Sequence, residues 1–248
     1  ALPTDGSVTI TNVTADRGSL IVVGPRSRDV LSQVTTSPLD NASFPWLSAR
    51  DIDTAVGPVR ALRVNYVGEL GWELHATNDQ LVPLYEAIWA AGEQYGIRDF
   101  GIYAVDSLRL DKGYRGWKQD MEIGYSPFDT SLDRFVDLTK ADFVGKAALV
   151  AEKAAGSAWR FVSMTLDEDG TADAPALASI FDEAGNNIGL ATSGGWSFTL
   201  NKSVALGFVR PQFEAEGTKL QIKIYGEMKA ATVGREPLYD PTNERLRA

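Results

Sequence analysis

The chain has 248 residues, 44% of them hydrophobic and 23% charged, which is enough for one large globular domain or two small ones. No apolar run approaches the length of a membrane-spanning helix, and the lack of cysteine, with His75 as the single histidine, excludes disulfides, thiolate nucleophiles and multi-histidine metal sites. A net charge of −9 without a dense Lys/Arg run argues against binding to nucleic acid or to an anionic membrane.

The N-terminal part of the chain contains patterns typical of strands and of one short helix. Residues 18–34 (GSLIVVGPRSRDVLSQV) predict a strand, a sharp Gly-Pro turn and a helix with Pro25 at its first position, where proline's missing N–H is not needed. Residues 58–77 predict a β-hairpin made of the alternating run PVRALRVNYV, the turn GELG and the returning run WELHAT. This hairpin places Tyr66 before the turn and Glu73 after it.

Three helices are predicted further along the chain. Residues 77–96 carry apolar side chains at helical spacing, and a late start is expected because Pro83 disfavours an early one. Residues 100–113 predict a second helix that ends near Gly113, and residues 143–156 predict a third that ends at its final glycine.

Beyond residue 156 the pattern changes to short strand-like runs separated by Gly, Asn and Asp turns. The runs are WRFVSMTL, ASIFDEAGNNIGLATSG, SVALGFV and KLQIKIYGEMKAATV. We therefore predict an α+β chain, with a mixed domain over residues 1–156 and a small antiparallel β-barrel or sandwich over residues 157–248.

The carboxylate in the returning strand of the hairpin has two interpretations. Trp72 and Leu74 flank Glu73, so a strand that buries those two side chains points Glu73 to the opposite face. On a face open to water Glu73 is an ordinary solvated residue, which the pattern alone favours. On a covered face the carboxylate needs donors, and a pterin, guanine or guanidinium ligand supplies two adjacent N–H groups as a bidentate pair.

Two aromatic residues are further candidates. Tyr66 is either a half-buried hairpin aromatic or a ring that packs against a planar ligand, with its hydroxyl available for a hydrogen bond. Trp196 lies in the Gly-rich segment ATSGGWSFTLNK, which reads either as a hairpin connection or as a lid over a ligand.

The segment DSLRLDKGYRGW carries five charged side chains on and after the second predicted helix. They are Asp106, Arg109, Asp111, Lys112 and Arg115. Their spacing is typical of ion pairs on the surface of a helix, each worth a few tenths of a kcal/mol. Arg115 follows the helix in a loop, where a binding role is more plausible.

Several of these segments, taken together and in order, resemble the glycine-cleavage T-protein (aminomethyltransferase) family. The segments LIVVGPRSRDVLSQV, VNYVGELGWEL, FGIYAVDSLRLDKGYRGW and TKADFVGKAAL resemble its folate-binding region, and GNNIGLATSGGWSFTLNKSVALGFV resembles its C-terminal barrel. Within the family, KGYRGW and the apolar Val105 of AVDSLR resemble the branch of dimethylglycine and sarcosine dehydrogenases or oxidases.

The resemblance implies that tetrahydrofolate is the cofactor and assigns site residues to it. It implies that Glu73 grips the pterin edge, that Tyr66 lines the folate site, and that Leu74 and His75 contact the ligand. It assigns neither a catalytic residue nor a metal ligand. Arg134 stands where the dehydrogenase branch commonly has an aromatic residue, and we expect it to pair with the carboxylates of the folate glutamate.

The function implied by the resemblance is one-carbon transfer in a larger enzyme. The chain is interpreted as the C-terminal portion of a dimethylglycine- or sarcosine-dehydrogenase-like flavoprotein, cut from a longer polypeptide that supplies the FAD-binding region and an acidic catalytic residue. FAD chemistry then oxidises an N-methylamine, and the one-carbon unit reaches tetrahydrofolate to give 5,10-methylenetetrahydrofolate. We expect Glu73 to position the pterin rather than to transfer a proton.

Two alternatives remain open at the level of sequence. One is a tetrahydrofolate-dependent aminomethyltransferase or demethylase that works without flavin. The other is a non-catalytic module that binds folate or holds subunits together. In all three cases the expected location is the cytoplasm, or the mitochondrial matrix in a eukaryote.

Overall fold

The computed structural model describes residues 3–167 and 172–248, and the contacts among them define two compact units. The first, called the sheet unit, consists of the described residues of Ala1–Asn65, Glu69–Asp99 and Asn243–Ala248. The second, called the barrel unit, consists of the described residues of Tyr66–Gly68 and Phe100–Thr242.

The contacts group residues 100–156 with the barrel rather than with the N-terminal sheet. The change of sequence pattern at residue 156 marks where the strands of the barrel begin. The division into domains at that residue stays a prediction.

The sheet unit is built on one four-stranded antiparallel sheet. Its strands are β1 (Arg17–Val23), β2 (Ala49–Thr54), β3 (Gly57–Leu62) and β4 (Gly71–Thr77). The strand order β1-β4-β3-β2 places β4 inside the sheet, hydrogen-bonded on both sides. Its helices are α1 (Ser27–Leu31), α2 (Asn78–Gly92) and the short C-terminal α5 (Glu244–Arg247).

One face of this sheet forms the core of the sheet unit. Trp72, Leu74 and Ala76 alternate along β4 and are all buried, as the period of two along a strand requires. Leu84 and Ile88 of α2 bury the apolar side of that helix in the same core. Because the inward side chains of β4 are all apolar, its polar residues are left on the opposite face.

The start of α2 differs from the sequence-based expectation of a late start, which is wrong. Thr77 is the N-cap, and its backbone N–H donates to Oε1 of Gln80 at 3.1 Å in a capping box. Pro83 therefore lies inside the helix. Its missing N–H leaves one carbonyl without its helical bond, a cost that the burial of the apolar side of α2 offsets.

The connection between β1 and α1 also differs in detail. The strand and helix occur as expected, but α1 begins at Ser27, with Arg26 as its N-cap. Pro25 therefore belongs to the turn and not to the first helical position.

The hairpin is shorter, and its loop longer, than the sequence pattern indicates. β3 ends at Leu62, which lies opposite Glu73 on β4, and residues 63–70 form the connection. Tyr66 is therefore a loop residue, and its expected position on the strand across the turn from Glu73 is wrong. The cause is a tertiary interaction. Tyr66–Gly68 make their contacts within the barrel unit, so these residues do not continue the strand.

The barrel unit contains a closed six-stranded antiparallel barrel, which confirms the predicted barrel and excludes the sandwich. Its strands are β5 (Arg160–Leu166), β6 (Ser179–Phe181), β7 (Asn187–Ser197), β8 (Lys202–Val209), β9 (Lys219–Ile224) and β10 (Glu227–Val233). The order β10-β5-β8-β7-β6-β9 closes through pairing of β9 with β10. Closure removes the exposed edges that an open sheet of this size has.

Two helices accompany the barrel within this unit. They are α3 (Ile102–Asp111) and α4 (Lys146–Ala155), in the positions that the sequence predicts. The chain leaves α3 through Gly113, which has a φ of +63° and so adopts a left-handed conformation that glycine takes readily. Leu110 of α3 is buried against the barrel residues Phe161 and Leu206.

The segment ATSGGWSFTLNK contains the expected hairpin connection, because residues 198–201 form the turn between β7 and β8, with Ser197 paired to Lys202. Its glycines and Trp196 lie on β7, before the turn. A side chain at Gly194 would collide with the backbone oxygen of Ala174, which explains the glycine by close approach of two chain segments. The backbone oxygen of Trp196 accepts a hydrogen bond from Ser107 of α3 at 2.7 Å. Trp196 thus belongs to the surface of the barrel that supports α3.

Candidate functional site

Glu73 lies on the face of β4 opposite the core, as the alternation of the strand predicts. Its side chain is 29% exposed, so the carboxylate is neither fully solvated nor fully enclosed. The residues paired with it across the sheet are Ile21 on β1 and Leu62 on β3. An acidic group is therefore flanked on both neighbouring strands by aliphatic side chains.

His75 is the neighbour of Glu73 on the same face. Its Nε2 lies 3.3 Å from Oε2 of Glu73, and its side chain is 38% exposed. Among the described residues, His75 is the one side chain that hydrogen-bonds or pairs with the Glu73 carboxylate. A carboxylate accepts about four hydrogen bonds, so most of the acceptor capacity of Glu73 is unused by protein side chains.

Leu74 points away from this pair. Its side chain is fully buried in the core of the sheet unit, between those of Trp72 and Ala76. A ligand on the Glu73 face therefore meets no side-chain atom of Leu74. The contribution of Leu74 is to hold β4 in the register that points Glu73 and His75 outward.

The next strands carry a second charged pair on the same face. Arg60 of β3 lies opposite His75, and its Nε donates to Oδ1 of Asp51 at 2.5 Å. The pKa of Asp51 is lowered, first by this hydrogen bond and further by the positive charge of Arg60. Because the guanidinium of Arg60 pairs with Asp51, the Glu73 carboxylate interacts with His75 and not with Arg60.

Tyr66 belongs to the barrel unit and is held there through its hydroxyl. The hydroxyl donates to the backbone oxygen of Arg115 at 2.7 Å, and the ring stacks on Tyr114 with a centroid distance of 5.7 Å. Burial raises the pKa of the Tyr66 hydroxyl, so the group remains a neutral donor. The hydroxyl proton is thus used within the protein, and what Tyr66 offers a ligand is its ring.

Arg134 is exposed and lies in a short 3-10 turn, Asp133–Phe135, of the barrel unit. Its guanidinium stacks over the ring of Phe135 at 4.8 Å from the centroid. Burial raises the pKa of Tyr114, and the positive charge of Arg134 opposes that increase. Tyr66, Tyr114 and Arg134 all belong to the barrel unit and are together called the aromatic and cationic cluster.

The charged segment after Ser107 is buried, which corrects its interpretation as a helix surface. Arg109, Asp111, Lys112 and Arg115 are each less than 10% exposed. A helical charge pattern does not distinguish a solvated face from one that a barrel covers, so the sequence carried no signal for this burial. Tyr114, the stacking partner of Tyr66, was also missed for lack of any local pattern.

The centre of this buried cluster is an ion pair between Arg109 and Asp120. Nη1 of Arg109 lies 2.7 Å from Oδ2 of Asp120, and both side chains are almost inaccessible. Asp120 also accepts from the hydroxyl of Ser193 at 2.6 Å and from the backbone N–H of Gly116 at 2.7 Å. The acceptor sites of this carboxylate are thus filled by the protein, in contrast to those of Glu73.

No group of three or more His, Asp or Glu side chains in residues 3–167 and 172–248 is arranged to hold a metal ion. Over the same residues, no helix has the length and apolar character needed to cross a bilayer.

Family models match both halves of the chain. Residues 1–140 match the GCVT N-terminal domain, and residues 160–240 match the glycine cleavage T-protein C-terminal barrel domain. The two matches follow each other in the order that the sequence motifs indicate.

Among characterised proteins, the chain is similar to mitochondrial dehydrogenases. It is 38% identical to human dimethylglycine dehydrogenase over 96% of this chain and 28% of that protein. It is 34% identical to mouse sarcosine dehydrogenase over 94% of this chain and 26% of that protein. The chain thus spans little more than a quarter of the length of these relatives.

A solved structure gives the same result at the level of fold. The crystal structure of glycine cleavage system aminomethyltransferase T from Bartonella henselae superposes with a TM-score of 0.79 and 26% identity, over 91% of this chain and 60% of that one. With a family model covering more than half of its residues, the chain belongs to the glycine-cleavage T-protein family.

Proposed function

We propose that this chain binds tetrahydrofolate and that the Glu73 carboxylate holds the pterin edge. The observation that supports the proposal is the unused acceptor capacity of Glu73. Among the described residues, this half-buried carboxylate has His75 as its one polar side-chain partner, and its cross-strand neighbours Ile21 and Leu62 are aliphatic. A pterin edge offers two adjacent N–H donors, which match the two oxygens of a carboxylate. Each such charge-assisted bond contributes about 1.5–3 kcal/mol.

The aromatic and cationic cluster of the barrel unit is the second element of the proposal. The Tyr66 ring, fixed by its stack on Tyr114, offers a flat apolar surface for an aromatic ligand. Arg134 offers an exposed guanidinium, the group best suited to pair with a carboxylate such as those of the folate glutamate. Leu74 acts through its backbone position alone.

We further propose that the chain is the folate-binding portion of an enzyme like dimethylglycine or sarcosine dehydrogenase. In such an enzyme another part of the polypeptide would hold FAD, which would supply the oxidation of an N-methylamine, and this chain would bind and orient the tetrahydrofolate that receives the one-carbon unit. Glu73 would lower the activation barrier of one-carbon transfer by holding the accepting nitrogen of tetrahydrofolate in position. This role requires no proton transfer from Glu73. The sequence contains no dinucleotide fingerprint, so we assign FAD binding to another part of the polypeptide.

Two observations favour the dehydrogenase branch over a stand-alone aminomethyltransferase. Sequence identity to human dimethylglycine dehydrogenase is 38%, against 30% to the aminomethyltransferase of Natranaerobius thermophilus. The resemblance also aligns Val105 with a position at which stand-alone aminomethyltransferases usually have an arginine. The mitochondrial dehydrogenases among the relatives agree with a matrix location if the source is eukaryotic.

Calorimetric titration with tetrahydrofolate under anaerobic conditions tests the assignment. We expect the native chain to bind, and Glu73→Gln to raise Kd at least about tenfold, because the neutral amide loses charge-assisted bonds. Glu86→Gln, an exposed glutamate on α2, is the matched control and should leave Kd unchanged. Lack of binding by the native chain, or equal Kd for native and Glu73→Gln, would contradict the proposal.

The barrel-unit cluster is tested by its own variants. Tyr66→Ala and Arg134→Gln should each raise Kd for tetrahydrofolate, and Arg134→Gln should lose most of its effect when the ligand lacks the glutamate carboxylates. An Arg134→Gln variant that binds like the native chain would remove Arg134 from the site without affecting the assignment of Glu73.

A further inference from the structure

The single histidine of the chain lies beside the one carboxylate to which ligand binding is assigned. His75 and Glu73 are two residues apart on the same face of β4, with Nε2 and Oε2 separated by 3.3 Å. Both side chains are partly exposed, so solvent protons reach the imidazole.

The strand pairing of the sheet shows which other charged groups lie near His75. On β3, Arg60 lies directly opposite His75, and it is paired with Asp51 of β2. On β1, Ser19 lies opposite His75, and the nearest charged residue is Arg17, which pairs with Thr77 in the strand register. Glu73 is thus the anion that faces the imidazole, and the cations on both sides belong to the strands next to β4.

We propose that His75 is a positioning residue that makes folate binding by Glu73 depend on pH. This inference rests on the proposed function of Glu73. A neutral imidazole donates one hydrogen bond to Oε2, which orients the carboxylate and leaves an acceptor site on each oxygen for the two donors of the ligand. A protonated imidazole forms an ion pair with the same carboxylate and partly neutralises the charge that the ligand needs.

The size of the effect follows from the exposure of the pair. Partly exposed ion pairs are weak, so protonation of His75 should raise Kd for tetrahydrofolate by about two- to fivefold. Titrations with the ligand at pH 7.5 and at pH 5.5 measure this ratio.

Substitutions at position 75 separate orientation from titration. His75→Gln keeps an N–H donor for Glu73 but does not titrate, whereas His75→Phe removes the donor. We expect calorimetric titration with tetrahydrofolate to give native-like Kd at pH 7.5 for His75→Gln, and no dependence of its Kd on pH down to 5.5. His75→Phe should bind tetrahydrofolate more weakly at both pH values, and its Kd should likewise not depend on pH.

Three outcomes would overturn the inference. The first is a native Kd that is constant between pH 5.5 and 7.5. The second is a dependence on pH that persists in His75→Gln, since it would then belong to the ligand or to another group. The third is an imidazole ring C–H resonance, a single signal in a chain with one histidine, that does not move when tetrahydrofolate binds at fixed pH.

Failure of the inference and failure of the proposed function give different results. If Glu73→Gln binds like the native chain at every pH, the assignment of the pterin to Glu73 is wrong. If binding depends on Glu73 but the native and His75→Gln profiles coincide, the assignment of Glu73 stands and the role of His75 is wrong.

Discussion

The sheet unit and the barrel unit each contain a carboxylate that interacts with a nitrogen base, and the two are used differently. Asp120 of the barrel unit is fully buried, pairs with Arg109, and accepts further hydrogen bonds from Ser193 and Gly116. Glu73 of the sheet unit is partly exposed and has His75 as its one hydrogen-bonding side chain among the described residues.

Asp120 and Glu73 differ in how the free-energy cost of removing a carboxylate from water is offset. A fully buried carboxylate is tolerated only when the protein fills its acceptor sites, as it does for Asp120. Glu73 retains contact with water, so its acceptor sites need not be filled in the absence of ligand. The saturated charges around Asp120 support the fold, whereas Glu73 keeps acceptor sites that the proposed ligand would fill.

The greatest loss of stability is expected from removal of the buried carboxylate. Asp120→Ala leaves the guanidinium of Arg109 buried without its anion and should lower the free energy of unfolding by about 3–5 kcal/mol. Urea denaturation of the native chain and the variant measures this difference. If the loss were below about 1 kcal/mol, as for a surface pair, the ion pair would not be supporting the barrel unit.

A core residue beside Glu73 tests the two faces of β4 against each other. Leu74→Ala removes a fully buried side chain and should lower the free energy of unfolding by about 2–5 kcal/mol through lost burial and a cavity. The same urea denaturation applies, with Leu74→Met as a volume-conserving control that should cost less than about 1.5 kcal/mol. Equal costs for Leu74→Ala and Glu73→Ala would contradict the assignment of opposite faces.

Asp111 is an intermediate case, a buried carboxylate whose acceptor sites are not filled. Ser197, Thr199 and Lys112 are close enough to favour its charged form, yet neither carboxyl oxygen has a hydrogen bond of ordinary geometry to any residue that the structure describes. Burial is the larger effect and raises the pKa of Asp111 above its usual 3.8. The folded state therefore binds this proton more tightly than the unfolded state does.

The sign of the resulting pH dependence follows from that preference. As pH rises from 3.8 through the raised pKa of Asp111, the native chain must ionise a buried group and loses stability. An asparagine side chain cannot ionise, so Asp111→Asn should gain stability relative to the native chain over this window and keep the advantage at higher pH. Denaturation at several pH values from about 3.5 to about 7.5 measures the difference, and a constant difference would contradict the burial effect.

Substitution of Glu73 itself should change stability least. Because its contact with His75 is partly exposed, Glu73→Gln should change the free energy of unfolding by no more than about 0.5 kcal/mol in the same urea denaturation. Such a variant would lose ligand affinity at nearly unchanged stability. A loss comparable to that of Asp120→Ala would instead show that Glu73 supports the fold.

Local patterns predicted much of the fold because they depend on neighbouring residues. The alternation of Trp72, Glu73 and Leu74 predicts opposite faces, since successive side chains of a strand point to opposite sides. The glycines at 113 and 156 mark the ends of α3 and α4 for an equally local reason. The start of α2 was misplaced because the burial of its apolar side, a tertiary effect, outweighs the cost of Pro83.

The candidate site was predicted less completely, for a physical reason. Glu73 and His75 were identified through a family motif, but their contact depends on the rotamers that the sheet allows. The position of Tyr66 in a loop, held by the carbonyl of Arg115, depends on a bond between residues 49 positions apart. No local pattern encodes such a bond.

The order of the amino acids is enough to establish the family, the two types of architecture, and the face of the strand that carries the acidic group. These properties rest on periodicity and on the succession of motifs, which are local. Which charges are saturated and which are available became known only from the folded arrangement, since Arg109 and Asp120 lie 11 positions apart and Ser193 a further 73 away. Desolvation depends on what surrounds a charged group in space, and neighbours in the chain do not specify those surroundings.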